Sequence, residues 1–318
     1  MNPLAQLVRP RFPSAAVGLS RASASLVSLD RRGGALVVKR AGLAPLPEGL
    51  LRPAFDDQNV ADASELAGAL HQLAETTGLA RRRRWSVALP EASTRTAILT
   101  LESAAASRAE TDEMLRWKIE RTFGAGEEDL RVSRHSLGAD AQGRARYLAC
   151  AVRLEVLAEY EEAFAALGWH AGLVLPRHMG EEQWLLRSRA AADSLLVSSH
   201  AEGFTAALLR GARPLLVRSI VCEPEDRADE LYRFLLFCRD RLLSPADGED
   251  DTAASSIDRM LVAGQGIDEP QAAQIVEETL HTRPRMLRAE DVRLSLPSPE
   301  LSFAQLAAPA GLASLAWS

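Results

Sequence analysis

The stretch Ala15–Lys39 reads AAVGLSRASASLVSLDRRGGALVVK, and about 180 residues later Ser194–Val217 reads SLLVSSHAEGFTAALLRGARPLLV. Each stretch contains three short apolar runs separated by turn residues, the pattern of a three-stranded meander. An amphipathic helix is predicted after each one, at Asp62–Thr77 and Asp226–Leu243. A meander and helix that occur twice predict a duplicated α/β chain with a ligand cleft between its halves.

A small module interrupts the first half. Residues 90–149 predict a strand, a helix and a hairpin, at Thr96–Leu101, Glu110–Phe123 and the pair Leu130–Ser136 and Arg146–Val152. We expect an inserted α+β subdomain that packs beside the first domain, away from the cleft face of the second.

The domain boundaries follow from this order of elements. The first domain takes 1–89 and 150–188, the inserted subdomain 90–149, and the second domain 189–318. The final segment, Leu301–Trp317, is apolar but contains Pro309 and Gly311. A continuous membrane helix does not suit that composition, so we expect the segment to dock on the core.

Composition excludes several classes of protein. Of the 318 residues, 47% are hydrophobic, and 37 basic against 43 acidic residues give a net charge of −6. That balance argues against a nucleic-acid-binding protein. Apolar runs long enough to cross a bilayer are absent, and Met1–Pro13 lacks the apolar core of a signal peptide. Three widely spaced cysteines suggest neither a disulfide framework nor a zinc site, so a cytoplasmic location is expected.

The order of several short motifs resembles the actin-like ATPase superfamily, and within it the family of the type IV pilus assembly protein PilM. FtsA and the cytoplasmic domain of GspL are relatives. The motifs are Ala16–Leu19, Pro45–Gly49, Val87–Pro90, Glu113–Glu120, Ala166–Gly168, Leu261–Gly264 and Leu306–Leu315. The resemblance covers nearly the whole chain and implies a duplicated actin-like (ribonuclease H-like) ATPase fold with a small inserted α+β subdomain.

The resemblance also implies a nucleotide site, which this sequence does not preserve. In the superfamily each meander begins with an Asp-x-Gly turn, whose Asp manages Mg²⁺ and whose Gly lets backbone N–H groups approach phosphate. Here Ser20 and Ala22 replace that pair in the first turn, and Ser198 and His200 replace it in the second. Both carboxylates are lost, and both glycines gain a β-carbon that crowds phosphate.

The adenosine-side turn is half kept, as Gly264 and Gly266 flank Gln265. The two glycines also suit a plain strand-to-helix turn, and Arg21 can restore one positive charge near phosphate. We therefore expect a pseudo-ATPase with no catalytic residues, no metal site and no cofactor beyond weak or vestigial binding of Mg-ATP.

Other candidate chemistry is weak. Ser199 and His200 are adjacent in a predicted strand, so their side chains point to opposite faces and cannot act as a nucleophile and base. His170 and His178 suit surface or core positions better than a metal pair. The run Arg81–Arg84 suits a solvated turn, with attraction to anionic lipid as the alternative.

The family resemblance implies a partner. Proteins like PilM bind the short cytoplasmic tail of a bitopic inner-membrane protein, PilN, in a groove between the first domain and the inserted subdomain. By position, the candidates for this groove are Leu89, Pro90, Met114, Trp117 and Lys118. The expected function is a non-enzymatic cytoplasmic scaffold for pilus assembly, associated with the inner membrane through its partner. An ATP-binding or ATP-hydrolysing actin-like protein and the cytoplasmic part of a GspL-like secretion protein remain the alternatives.

Overall fold

A computed structural model gives the fold, and it describes residues 12–103, 107–188, 193–243, 256–298 and 300–318. The absence of a signal peptide was expected from Met1–Pro13, and residues 1–11 of that segment lie outside the described ranges. None of the helices in these ranges is long and apolar enough to cross a lipid bilayer.

The first meander forms the centre of a six-stranded sheet. Its strand order is β14-β3-β2-β1-β4-β8, in which β1 runs antiparallel to β2 and parallel to β4. The strands are β1 (Ala15–Leu19), β2 (Ser23–Arg32), β3 (Ala35–Pro45), β4 (Arg84–Leu89), β8 (His170–Pro176) and β14 (Leu294–Ser295).

The second meander repeats this arrangement in a five-stranded sheet of order β11-β10-β9-β12-β13. Its strands are β9 (Asp193–His200), β10 (Gly203–Arg210), β11 (Arg213–Val221), β12 (Ile257–Ala263) and β13 (Arg285–Met286). In both sheets the meander is followed by a parallel strand next to its first strand, which is the internal repeat that the sequence predicts. β14 departs from the expected domain division, since it comes from the C-terminal part of the chain yet pairs with β3 of the first sheet.

The described residues form seven α-helices. They are α1 (Ala63–Thr76), α2 (Arg108–Phe123), α3 (Leu154–Ala166), α4 (Arg177–Ser188), α5 (Arg227–Cys238), α6 (Glu269–Leu280) and α7 (Phe303–Ser314). A π-helical turn, Arg239–Leu243, continues α5 to the end predicted for it. The sequence pattern predicted neither α4 nor a helix in the final apolar segment, where α7 includes Pro309.

The inserted module has a sheet of its own, of order β5-β7-β6, built from β5 (Arg95–Thr100), β6 (Leu130–Ala139) and β7 (Ala145–Arg153). α2 packs on one face of this sheet. β7 continues beyond residue 149, the expected end of the module, because the chain stays extended until α3 begins.

The module contacts both halves of the protein, not only the first. Phe55 of the first half joins the core under α2, and Arg95 forms an ion pair with Asp56 at 2.8 Å. On the other side, Arg146 donates a hydrogen bond to the Leu215 carbonyl of β11 at 2.8 Å. The expectation that the module packs beside the first domain alone is therefore incomplete.

The C-terminal helix α7 lies inside the protein. All residues from Leu306 to Ser314 are buried, and the helix packs against α4 and the first sheet. Ser302 and Gln305 form a reciprocal capping box at its start. An apolar helix that is covered on every side belongs to a core, which explains its uniformly apolar composition.

Candidate functional site

The first degenerate phosphate turn joins β1 to β2. The Ser20 hydroxyl accepts a hydrogen bond from the Ser23 amide and lies 2.8 Å from the Ser23 hydroxyl. Ala22 is exposed at the tip of the turn. The polar group that replaces the expected aspartate therefore closes its own turn.

The second degenerate turn joins β9 to β10 and lies across the cleft from the first. Ser198 is buried in β9, and His200 Nδ1 lies 3.3 Å from a Glu202 carboxylate oxygen. Arg21 of the first turn reaches the other Glu202 oxygen at 3.5 Å. An ion pair thus links the two degenerate turns.

Arg227 fills the space beside the adenosine-side turn. Its guanidinium donates hydrogen bonds to the carbonyls of Gln265 at 2.8 Å, His200 at 2.8 Å and Ala201 at 3.2 Å. The residue is only 5% exposed. A Cβ added at Gly266, where φ is +123°, would overlap this guanidinium. The glycine therefore leaves room for an arginine of the protein itself.

Gly264 has a similar packing role. Its φ of +81° favours glycine, and a Cβ there would overlap the Ser199 carbonyl oxygen. Thus Gly264 and Gly266 hold the β12–α6 turn tightly against the second degenerate turn. Sequence reasoning missed Arg227. The sequence did contain one signal, because Arg227 is predicted to lie in the first turn of a helix. The helix dipole disfavours a cation there unless backbone carbonyls accept its hydrogen bonds.

A buried cluster of charges lies between the end of β4 and the start of α4. His178 Nδ1 is 2.6 Å from a Glu91 carboxylate oxygen, and the His178 amide donates to the other Glu91 oxygen at 3.3 Å. On its far side, His178 Nε2 lies 4.0 Å from Glu182. Glu181 pairs with Arg177 at 3.3 Å. The sequence pattern identified none of these glutamates, because the helix that carries two of them was not predicted.

The pKa values of this cluster indicate that Glu91 and His178 form an ion pair and that the Glu182 carboxyl group lies beside it. Burial alone would raise the pKa of Glu91, but the charge and hydrogen bonds of His178 lower it to about 2. Burial alone would lower the pKa of His178, but Glu91, with help from Glu182 and Glu181, raises it to about 9. Burial raises the pKa of Glu182 to about 7 against the attraction of His178. At neutral pH His178 is thus protonated and pairs with the Glu91 carboxylate, and we call this buried ion pair the clamp.

A groove opens between the inserted module and the first half. One wall is β8, an edge strand of the first sheet, and the other is β6, an edge strand of the module. α3 contributes Leu157 and Glu161, and β7 contributes Cys150. The cavity volume is about 290 Å³. Among the described residues no further strand pairs with either edge. Two such edges that face one groove present backbone N–H and C=O groups to an extended peptide.

The five residues predicted for the partner groove do not form one surface. Leu89 lines the groove described above. Pro90, the next residue in the chain, is buried. Met114 packs against the core between α2 and the module sheet, whose opposite face carries the groove residue Cys150. Lys118 pairs with Glu102 at 3.3 Å, and Trp117 is 55% exposed beneath the Arg121 guanidinium.

Comparison with known proteins finds the same architecture in solved structures. No family model and no curated protein matches the chain. A chain of a PilM-PilN type IV pilus biogenesis complex matches with a TM-score of 0.76 and 20% identity, over 97% of this chain and 100% of that chain. Because this match spans nearly the whole chain and both sheets repeat one strand order, the expected duplicated actin-like α/β fold is confirmed.

More distant matches include a Bacteroides thetaiotaomicron protein of unknown function with an actin-like ATPase fold. Its TM-score is 0.47 and its identity 14%, over 98% of each chain. The cytoplasmic domain of EpsL, an inner-membrane component of the Vibrio cholerae type II secretion system, matches with a TM-score of 0.46 and 10% identity. That match covers 95% of this chain and 93% of the other.

Proposed function

We propose that this protein is a non-enzymatic cytoplasmic scaffold of a type IV pilus assembly platform. In this role it binds the cytoplasmic N-terminal tail of a PilN-like membrane protein. The observation that supports the proposal most is the open groove between β8 and β6, in a chain whose fold matches a PilM-PilN structure along its length. Membrane association then comes through that partner.

The groove suits a short extended peptide. Strand addition gives affinity through main-chain hydrogen bonds, and pockets that receive alternate side chains give specificity. Here the floor and walls are mainly apolar, with Leu157, Leu173 and Leu175 among them. Arg131 and Glu161 add one charge of each sign to the lining. A tail with apolar residues at alternate positions complements this surface.

A peptide of about ten residues from the partner's N-terminus should bind without nucleotide, with a Kd in the range of about 1–10 μM. Leu173→Asp on one wall should weaken that binding at least about tenfold, since it puts a charge into an apolar pocket. Ser133→Trp on the other wall should do the same by filling the groove. Isothermal titration calorimetry measures each affinity.

Trp117→Ala is the matched control, because Trp117 is exposed and does not line the groove. Its affinity for the peptide should equal that of the wild type. If Trp117→Ala weakens binding while Leu173→Asp and Ser133→Trp do not, the partner binds on α2 and the groove assignment is wrong. Peptide binding that strictly requires ATP would contradict the proposal and would mean that nucleotide controls binding of the partner.

Mg-ATP at millimolar concentration should bind no more tightly than about 100 μM and should not be hydrolysed above background. Two features support this. The Asp-x-Gly turns lack their carboxylates, and Arg227 already occupies the space beside Gly266. Calorimetry and a phosphate-release assay test the prediction. Sub-micromolar affinity or measurable turnover would favour the ATPase alternative.

A further inference from the structure

Five arginines form a basic rim at one end of the first sheet. Arg81–Arg83 lie in the turn before β4, Arg84 is the first residue of β4, and all four are exposed. Arg40 on β3 joins them, because its guanidinium lies beside Gly78 at the end of α1, three residues before the run. We call Arg40 and Arg81–Arg84 the basic rim.

Most of this charge has no partner within the protein. Arg83 donates to the carbonyls of Ala80 and Leu167, both at 3.4 Å, and so ties the turn to the end of α3. No described carboxylate lies within 4.0 Å of any guanidinium in the rim; the nearby Glu75 pairs with His71 instead. The rim is thus a local concentration of unpaired positive charge on a chain whose net charge is −6.

The chemistry of the rim selects the kind of partner. A specific protein interface needs buried aromatic or aliphatic anchors, but Leu79 and Trp85, which flank the run, are buried in the core. What remains exposed is guanidinium, which binds phosphate oxygens in pairs. A surface of many phosphates needs no anchor, because attraction summed over several arginines is enough. We propose that the basic rim binds the anionic headgroup surface of a membrane.

The place of the rim in the fold agrees with this. Arg84 pairs in register with His170, the first residue of β8, and the His170 amide donates to the Arg83 carbonyl at 2.7 Å. The rim therefore lies at the amino ends of β4 and β8, while the first degenerate turn follows the carboxyl end of β1, the strand parallel to β4. The β8 wall of the groove begins at the rim, with Ala171 and Gly172. If the proposed function holds, a tail that leaves the membrane enters the groove from the side that faces the lipid.

Vesicle flotation of the full chain, without any partner, tests the proposal. At about 0.1 M salt the protein should float with vesicles of phosphatidylcholine containing about 30% phosphatidylglycerol, and not with pure phosphatidylcholine. The triple variant Arg81→Ala, Arg82→Ala, Arg84→Ala should bind about 100-fold more weakly, at about 1 kcal/mol for each arginine. It keeps Arg83 and its two hydrogen bonds. Raising the salt to about 0.5 M should release the wild type.

The controls separate charge from other effects. Lysine at the same three positions should keep binding within a few-fold, since the charge is unchanged. Alanine at Arg52, Arg218 and Arg283 removes three exposed charges elsewhere and should leave binding within about threefold of the wild type. An equal loss in this scattered variant would show a response to net charge alone and would overturn the proposal.

The remaining outcomes of the vesicle and peptide assays also test the proposal. Absence of flotation with anionic vesicles, or equal flotation with neutral ones, overturns the proposal; the first result would leave an acidic protein surface as the occupant. The triple alanine variant should still bind the partner peptide with unchanged affinity, because none of its three positions lines the groove. If the wild-type protein binds anionic vesicles but does not bind the partner peptide, the proposed function is wrong and the membrane-binding role of the rim is still supported.

Discussion

The Glu91→Ala variant should unfold with a free energy about 3–5 kcal/mol lower than that of the wild type. The substitution removes the counter-charge of buried His178, so the imidazole either loses its proton or stays charged without its partner. Removal of one partner from a buried ion pair typically costs that much. The two residues lie 2.6 Å apart, and neither is exposed to water. Urea denaturation at pH 7 measures the difference.

The double variant Glu91→Ala, His178→Ala is the control. It removes both charges, so it should be less destabilised than the sum of the two single variants, by at least about 1 kcal/mol. Simple additivity would mean that the pair contributes no coupling energy, and the clamp would then be wrongly assigned.

The same pair should make stability depend on pH in a defined direction. The pKa of His178 is about 9 in the folded protein against an ordinary 6.5, so its contribution is complete below pH 6.5 and disappears as the pH rises to 9. The pKa of Glu91, about 2 against an ordinary 4.5, places its loss between pH 4.5 and 2. The raised pKa of Glu182, about 7, adds a further loss of stability as the pH rises from 4.5 to 7. Unfolding free energy should fall from pH 6.5 to 9 in the wild type and much less in Glu91→Ala.

The Gly311→Ala variant should lose about 3 kcal/mol or more of unfolding free energy. A Cβ at Gly311 would overlap the Gly180 carbonyl oxygen, and a Cβ at Gly180 would overlap that of Ala308. The obstructing atoms are backbone, so α4 and α7 can relieve the overlap only by moving apart within the core. Chemical denaturation again gives the magnitude.

Gly68→Ala provides the matched comparison. Gly68 lies on the exposed face of α1, and a Cβ there would meet no atom within 4 Å. The same chemical change should therefore stabilise the protein by up to about 1 kcal/mol through helix propensity and reduced chain entropy. Similar effects at the two positions would mean that α4 and α7 do not pack as closely as described.

The internal repeat could be predicted because its signals are local. The short apolar runs in Ala15–Lys39 and Ser194–Val217, with glycine at hairpin turns, predict three strands in each half from neighbouring residues alone, and the structure has these strands. The order of elements in the inserted module is local in the same way. The replacement of the superfamily's aspartate by Ser20 in the first turn can also be identified from the sequence alone.

What only the tertiary structure decided depends on contacts between distant residues. α4 was missed because the same glutamates that make Arg177–Ser188 look solvent-exposed are buried by pairing with His178 and Arg177. Arg227 gains its place from carbonyls of residues 200, 201 and 265. Neither pairing leaves a periodic trace in the sequence.

The partner surface shows the same limit. Composition and spacing determine that a module stands between the two halves of the first domain, and position alone pointed to Trp117 as well as Leu89. Which face of the module sheet receives α2, and which opens onto β8, depends on how the module sheet, α2 and the first sheet pack together. The sequence by itself determined the strands, most of the helices and the lost phosphate turns, because hydrophobic period and turn chemistry act over a few residues. The groove and the clamp came from the tertiary structure, because they bring together side chains up to about 90 residues apart in the chain. Four of the five arginines of the basic rim are contiguous in the sequence, and the fold added Arg40 to them.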